Sequence, residues 1–138
     1  MHTINKVQQE IIDEFNMFED WMQKYEYIID LGKELAPIEE KHKIEKNLIR
    51  GCQSRVWLHA ELKSGRLFFH GDSDAIMTKG IVALLLRVLS KQKPEDIINS
   101  KLDFLNKIGL KEQLSATRAN GLASMVKQIK IYALAYNN

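Results

Sequence analysis

One cysteine, Cys52, is all the thiol this chain carries. An internal disulfide is therefore excluded, and a reducing compartment is the default expectation. The same scarcity argues against an iron–sulfur scaffold or a structural zinc site, which usually takes three or four soft ligands. His2, His42, His59 and His70 show no tight metal spacing. His59 and His70 can face each other only if a hairpin register allows it, so no metal is expected. A surplus of one charge sign is missing too. The formal net charge is +2, and basic residues alternate with acids, as in "EKHKIEKN". A dedicated nucleic-acid surface would cluster its positive charge, so none is expected. Long hydrophobic runs are also absent. The longest nearly apolar stretch is "IVALLLRVL", residues 81–89, about half of the ~20 residues a membrane span needs. The opening "MHTINKVQQEIIDEF" has no apolar h-region and does not read as a signal peptide. The expectation is a soluble cytoplasmic protein that binds neither nucleic acid nor membrane.

The rest of the composition is that of an ordinary globular protein, with 45% hydrophobic and 28% charged residues. A length of 138 residues fits one domain, read over residues 1–138. Such a chain can bury roughly two-thirds of its unfolded surface and needs neither disulfides nor metals to fold.

Apolar residues recur at helical spacing in two N-terminal stripes. The first runs through Val7, Ile11, Phe15 and Phe18. The second runs through Trp21, Tyr25, Ile28, Ile29 and Leu35 and stops at Pro37. Two helices forming a hairpin are expected. "PIEEKHKIEKN" reads as a polar connector. The period then changes to two: Val56, Leu58, Ala60 and Leu62 alternate with Arg55, Trp57, His59 and Glu61, a strand with one face buried. "KSGR", residues 63–66, is a hairpin turn in which Gly65 can take positive φ, and "LFFHG" is the return strand. "KNLIR" would add a third antiparallel strand. Ser73 or Asp74 is placed to cap a central helix starting near Ala75. Gly80 lies inside that helix, at a cost of about 1 kcal/mol relative to alanine, and implies close packing. Leu84, Leu85 and Leu86 read as core. Pro94 opens a short helix through Ile98, and Gly109 stops another. Leu122, Met125, Val126, Ile129, Tyr132, Ala133 and Tyr136 form the stripe of a last helix, with Thr117 as its expected N-cap and Arg118 in its first turn. Trp57 is either covered by a helix or part of a partner patch. Arg50, Arg55 and Lys79 are read as solvated charges or as docking groups for an acidic partner.

Cys52 has two readings. Free cysteine is often a buried, inert core residue. Here, however, Gly51 precedes it, Gln53 and Ser54 follow it, and the alternating strand begins only afterwards. That places it on a loop, where reactive groups are commonly displayed. Arg50 and Arg55 flank it, and positive neighbours favour the thiolate, whereas apolar burial opposes it. A papain-type site would need a base and an orienting residue. His59 stands seven residues along the same segment, too far for a local contact. A thiol carrier asks only for one exposable thiolate on a loop.

"NLIRGCQSRVWL" resembles the active-site signature of the SufE family, sulfur acceptors of bacterial iron–sulfur cluster assembly. "YIIDLGKELAPI", "GDSDAIMTKGIVALLL" and "LSATRANGLASMVKQI" agree in the same order, from about Phe15 to the C-terminus. The resemblance implies an α+β fold, a small three-stranded antiparallel sheet packed against helices in a single SufE-like domain akin to scaffold proteins of the IscU type. It implies that Cys52 accepts and carries persulfide sulfur from a pyridoxal-phosphate cysteine desulfurase, SufS-like or CsdA-like. It implies stimulation of that enzyme and delivery to a SufBCD-like scaffold complex. The protein itself would need no cofactor and would not turn over alone. Arg118 matches an assisting arginine, Gly51, Gln53 and Ser54 the cysteine loop with Gly51 as hinge, and Asp72 and Asp74 an acidic loop. A homodimer is allowed but not demanded. Where the family commonly has Ser-Pro-Ser-Arg this chain has "SATR", and the missing proline leaves that loop less stiff. Two other classes stay open: a stand-alone thiol enzyme, and an interaction module with an inert cysteine.

Overall fold

The computed structural model describes residues 3–137. Helix α1 (Ile4–Phe15) starts where Thr3 accepts the Lys6 N–H, and α2 (Trp21–Glu34) where Asp20 accepts the Gln23 N–H. The side-chain oxygens satisfy donors that the first turn leaves without intrahelical partners. After two short 3₁₀ turns, Glu40–His42 and Glu45–Asn47, come strands β1 (Val56–Lys63) and β2 (Arg66–Ser73). Helix α3 (Ile76–Leu89) follows, then three short helices, α4 (Pro94–Ile98), α5 (Phe104–Lys107) and α6 (Leu110–Gln113). The 21-residue α7 (Ala116–Tyr136) closes the chain. None of the described helices is long and apolar enough to cross a membrane.

Helix α3 is the centre. Its Leu84, Leu85 and Leu86 are all buried. Strand β2 covers one side of it and α2 another. The α2–α3 crossing depends on two glycines. A Cβ on Gly32 would come within 2.7 Å of the Gly80 nitrogen, and one on Gly80 would collide with the Ile28 carbonyl. The backbones themselves are in contact, which is the close packing that Gly80 implies. The expected hairpin of α1 and α2 joins the rest of the core, each helix packing mainly on other elements. Helix α2 packs chiefly on α3, and α1 lies against α3 and α5. The first stripe meets α2 at Tyr27, in an aromatic cluster with Phe15 and Phe18 whose ring centroids are 5.0 to 6.1 Å apart. Arg87 of α3 donates to Glu14 of α1 through both terminal guanidinium nitrogens, at 2.9 and 2.5 Å. That contact, above all, holds the Glu14 carboxyl below its ordinary pKa.

The fold is α+β, but among the described residues the sheet has two strands rather than the expected three. They pair antiparallel from Val56↔Ser73 to Lys63↔Arg66. Ser64 (φ 51°) and Gly65 (φ 78°) both take positive φ in the turn, the backbone of a tight two-residue hairpin loop. "KNLIR" contributes a single bridge, Leu48↔Trp57, with Ile49 N–H donating to the Val56 carbonyl at 2.9 Å. Two features cut it short. Its first residues are wound into the Glu45–Asn47 turn, and Asn47 donates its side-chain amide back to the His42 carbonyl at 2.7 Å. At its other end Gly51 (φ 92°) turns the chain away. The alternation of β1 holds from Val56 to Ala60, while Leu62 reaches the rim and is exposed. Trp57 is half-buried on the outer face of the sheet. Leu48 bridges to it, and Lys43 sits 5.5 Å from its ring.

Candidate functional site

Cys52 lies on the loop of residues 50–55 between Ile49 and β1. Both ends of this loop are fixed. Ile49 is buried and bonded to Val56. At the far end Arg55 is clamped through its backbone. Its N–H donates to Asp74 Oδ1 at 3.0 Å, and its carbonyl accepts from Ser73 Oγ at 2.8 Å and from the Asp74 N–H at 3.2 Å. The Gly-Asp-Ser-Asp stretch therefore does something other than the expected capping. Ala75 occupies the N-cap of α3 with no side-chain cap, although Ser73 Oγ accepts the Ala75 N–H at 3.2 Å. Asp72 is buried behind Asp74. It takes the Lys43 ammonium at 3.2 Å, the Lys79 ammonium at 3.4 Å and the Ser73 N–H at 2.8 Å. Burial alone would raise its pKa. The Ser73 N–H and the two lysines outweigh that and hold it below the ordinary aspartate value. Lys79 is thus a paired cation, not a solvated one.

Between its fixed ends the loop rests on α7. Gly51 is exposed in the left-handed region, and a Cβ there would lie 2.6 Å from Ser124 Oγ. Cys52 is partly buried against the core. Its Sγ donates weakly to the Gly121 carbonyl at 3.6 Å, and a Cβ on Gly121 would meet the sulfur at 3.4 Å. Gly121 is the floor of the thiol's seat. It belongs to the same Arg-Ala-Asn-Gly stretch as Arg118, and sequence reasoning named the arginine but missed the glycine. The signal was a small residue in the first turns of an apolar helix, facing a glycine–cysteine pair far away in the chain. Burial pushes the Cys52 thiol above its ordinary pKa. Arg50 and Arg55 are exposed and do not overcome that effect. A cavity of about 210 Å³ opens beside the sulfur, lined by Glu45, Leu48, Ile49 and the loop residues Arg50, Gln53, Ser54 and Arg55. A larger cavity, about 730 Å³, lies elsewhere, between α1 and the α4–α5 region, and contains none of these residues.

Arg118 stands one turn before Gly121 on α7, exposed, on the side that residues three apart share. The N-cap of α7 is Ser115, not Thr117. Ser115 Oγ accepts the Arg118 N–H at 3.3 Å, so the helix begins inside "SATRANG". Ala116 then occupies the first helical position, where proline is most readily accepted. The proline-to-alanine difference is absorbed without losing the cap.

A family profile for the SufE domain, described as an Fe-S metabolism associated domain, matches residues 9–133. The chain belongs to the SufE family. It is 41% identical over 126 residues to an uncharacterized SufE-like protein of Rhizobium meliloti (strain 1021), covering 88% of this chain and 90% of that one. It is 36% identical over 126 residues to an uncharacterized SufE-like protein of Synechocystis sp. (strain ATCC 27184 / PCC 6803 / Kazusa), covering 91% and 79%. Its fold is similar to the solution structure of a hypothetical protein from Thermus thermophilus, with a TM-score of 0.77, 17% identity and 94% of both chains covered. Membership of the SufE family associates the chain with iron–sulfur metabolism.

Proposed function

We propose that this SufE-family protein is a sulfur acceptor and carrier working through Cys52. The observation that carries the reading is the seat of the sulfur. The chain's single thiol rests on a loop fixed at both ends, and the sulfur itself is held by packing and a weak hydrogen bond to Gly121. In that seat the raised pKa keeps the sulfur protonated and quiet. Swung outward about Gly51, it would lose the burial that raises the pKa, and the thiolate is the nucleophile. The thiolate then attacks the terminal sulfur of a persulfide on a pyridoxal-phosphate cysteine desulfurase. A new S–S bond forms at Cys52, the bond to the desulfurase cysteine breaks, and that cysteine leaves as a thiolate. The exchange is isoelectronic and needs no oxidant. Removing the persulfide frees the desulfurase for its next substrate, which is how the acceptor would stimulate it. The same attack by an acceptor thiol passes sulfur on to an iron–sulfur scaffold. The pyridoxal phosphate belongs to the partner, and a reducing cytoplasm suits an unprotected thiol. Arg118, one turn before Gly121 on α7, is the positioning residue of this reading, and Gln53 and Ser54 move with the loop.

A stand-alone thiol enzyme fits less well, because such an enzyme needs a base at the sulfur. The described histidines gather instead on the outer face of the hairpin. The deciding experiment combines the protein with a cognate desulfurase and L-cysteine, follows sulfide release, and reads the intact mass of the acceptor. Stimulation and one added sulfur atom are expected, both abolished by Cys52→Ser. A wild-type chain that gains no sulfur, or a Cys52→Ser variant that stimulates fully, overturns the reading.

A further inference from the structure

Three of the four histidines of the sequence come together on one surface that the sulfur chemistry does not use. The hairpin register places His59 opposite His70. The side chains of His59 and Glu61, two apart on β1, share the face that looks away from α3. The connector brings His42 onto the same face. Its ring stacks on His59 with centroids 3.7 Å apart and an interplanar angle of 13°, and His70 stands 6.5 Å from His59. His42 is not there by chance of a loose loop. It ends the Glu40–His42 turn, where its N–H binds the Glu39 carbonyl at 2.9 Å and its own carbonyl receives the Asn47 side chain at 2.7 Å. Asn47 is itself buried.

We infer that His42, His59 and Glu61 form a binding site for a divalent transition-metal ion of the zinc class. One donor atom from each lies within 4.8 Å of the other two, and all three residues are partly buried. His59 Nε2 is already 3.5 Å from Glu61 Oε1. Ligand atoms around a tetrahedral zinc, with bonds of ~2.0 Å, stand about 3.3 Å apart. The parallel stack of His42 and His59 would have to open so that the in-plane lone pairs of both rings converge on the ion. Two imidazoles and a carboxylate favour zinc, cobalt, nickel or copper(II) over magnesium or calcium, and the lack of a thiolate disfavours copper(I). A three-residue set leaves a fourth position for water. Lys63 competes for Glu61, at 3.3 Å, and binding would release it. Because the ligands come from the connector and from β1, the ion would join the connector to the hairpin. The short expected strand, "KNLIR", leads from there directly into the cysteine loop. The histidine spacing in sequence, 42 and 59, gave no sign of this; only the fold brings the two together. His2 lies outside the described residues.

The test is a Zn²⁺ titration of the full chain against a chromogenic chelator, repeated for His42→Ala, His59→Ala, Glu61→Gln, Cys52→Ala and His2→Ala. One Zn²⁺ per chain is expected, with a rise in Tm on binding. It should persist in Cys52→Ala and His2→Ala and weaken about tenfold or more in His42→Ala and His59→Ala. Co²⁺ in its place should show visible d–d bands with no thiolate charge-transfer band. No binding by the wild type at millimolar Zn²⁺, binding unchanged in His42→Ala, or binding lost in Cys52→Ala would each overturn the site. If His59→Ala does not fold, His42→Ala and Glu61→Gln decide. None of these readouts depends on sulfur transfer.

Discussion

Two pairs of glycines govern the two most different parts of this molecule. At the α2–α3 crossing Gly32 and Gly80 bring backbone against backbone, with Ile28 fully buried beside them. At the cysteine loop Gly51 and Gly121 bring a loop against a helix, and there side-chain atoms, above all Ser124 Oγ and Cys52 Sγ, fill the space a Cβ would need. In the first case nothing can give way without moving a helix. In the second, rotation of one side chain or displacement of a six-residue loop suffices. The same residue type therefore brings backbone against backbone in one place and makes room for side-chain atoms in the other.

The largest effect should come from breaking the scaffold. Gly80→Ala drives a Cβ into the Ile28 carbonyl and should cost about 3 kcal/mol, at the upper end of overpacking effects, read as a lower urea midpoint. The gain in helix propensity of about 1 kcal/mol would not offset it. A variant as stable as wild type would show that the crossing is looser than described. Next comes Asp72→Asn, which leaves Lys43 and Lys79 without their carboxylate and should cost about 2 kcal/mol. The native carboxyl titrates below its ordinary value of 3.8. Its contribution is therefore present above that value and disappears as pH falls through the lower native one. Acid unfolding of Asp72→Asn should accordingly be flatter in that range, and an unchanged acid limb would assign the stability to other groups.

Opening the seat should matter less to stability and more to the sulfur. Gly121→Val places methyl groups where Cys52 Sγ now rests. Alkylation of the thiol should speed up several-fold, and its pH midpoint should fall from above that of a free cysteine towards it, with the urea midpoint little changed. A slower reaction would mean the loop has been trapped and not released. The smallest effect is that of Asp74→Ala, which removes the acceptor of the Arg55 N–H. About 1 kcal/mol of stability should go with it, together with a modest rise in alkylation rate. Equal labelling of Asp74→Ala and wild type would show that the remaining Arg55 bonds hold the loop unaided.

What could be read from the sequence followed the range of the interactions. The β1 alternation from Val56 to Ala60, the Lys63–Arg66 turn and the apolar α3 are set by neighbours a few residues apart, and they stand as expected. Caps were harder, because Ser115 and Thr117, or Ser73 and Asp74, offer equivalent oxygens at neighbouring positions, and tertiary contacts choose between them. The bridge left of "KNLIR" depends on a turn tied by Asn47 and on the φ of Gly51. Motifs flagged Cys52, Asp72, Asp74 and Arg118. The partners of the cysteine and of the acidic loop lie far away in the chain: Gly121 is 69 residues from Cys52, and Asp74 is 19 from Arg55. A linear pattern marks such residues without saying what they hold.

The bond from Cys52 Sγ to the Gly121 carbonyl can form only while the sulfur carries its hydrogen. A carbonyl oxygen has nothing to offer an anion, so a deprotonated sulfur in that position would face a lone pair across van der Waals distance. The hydrogen bond to Gly121 therefore belongs to the protonated sulfur alone. Loss of the proton removes this one weak bond, while the backbone bonds at Ile49 and Arg55 that fix the ends of the loop are untouched.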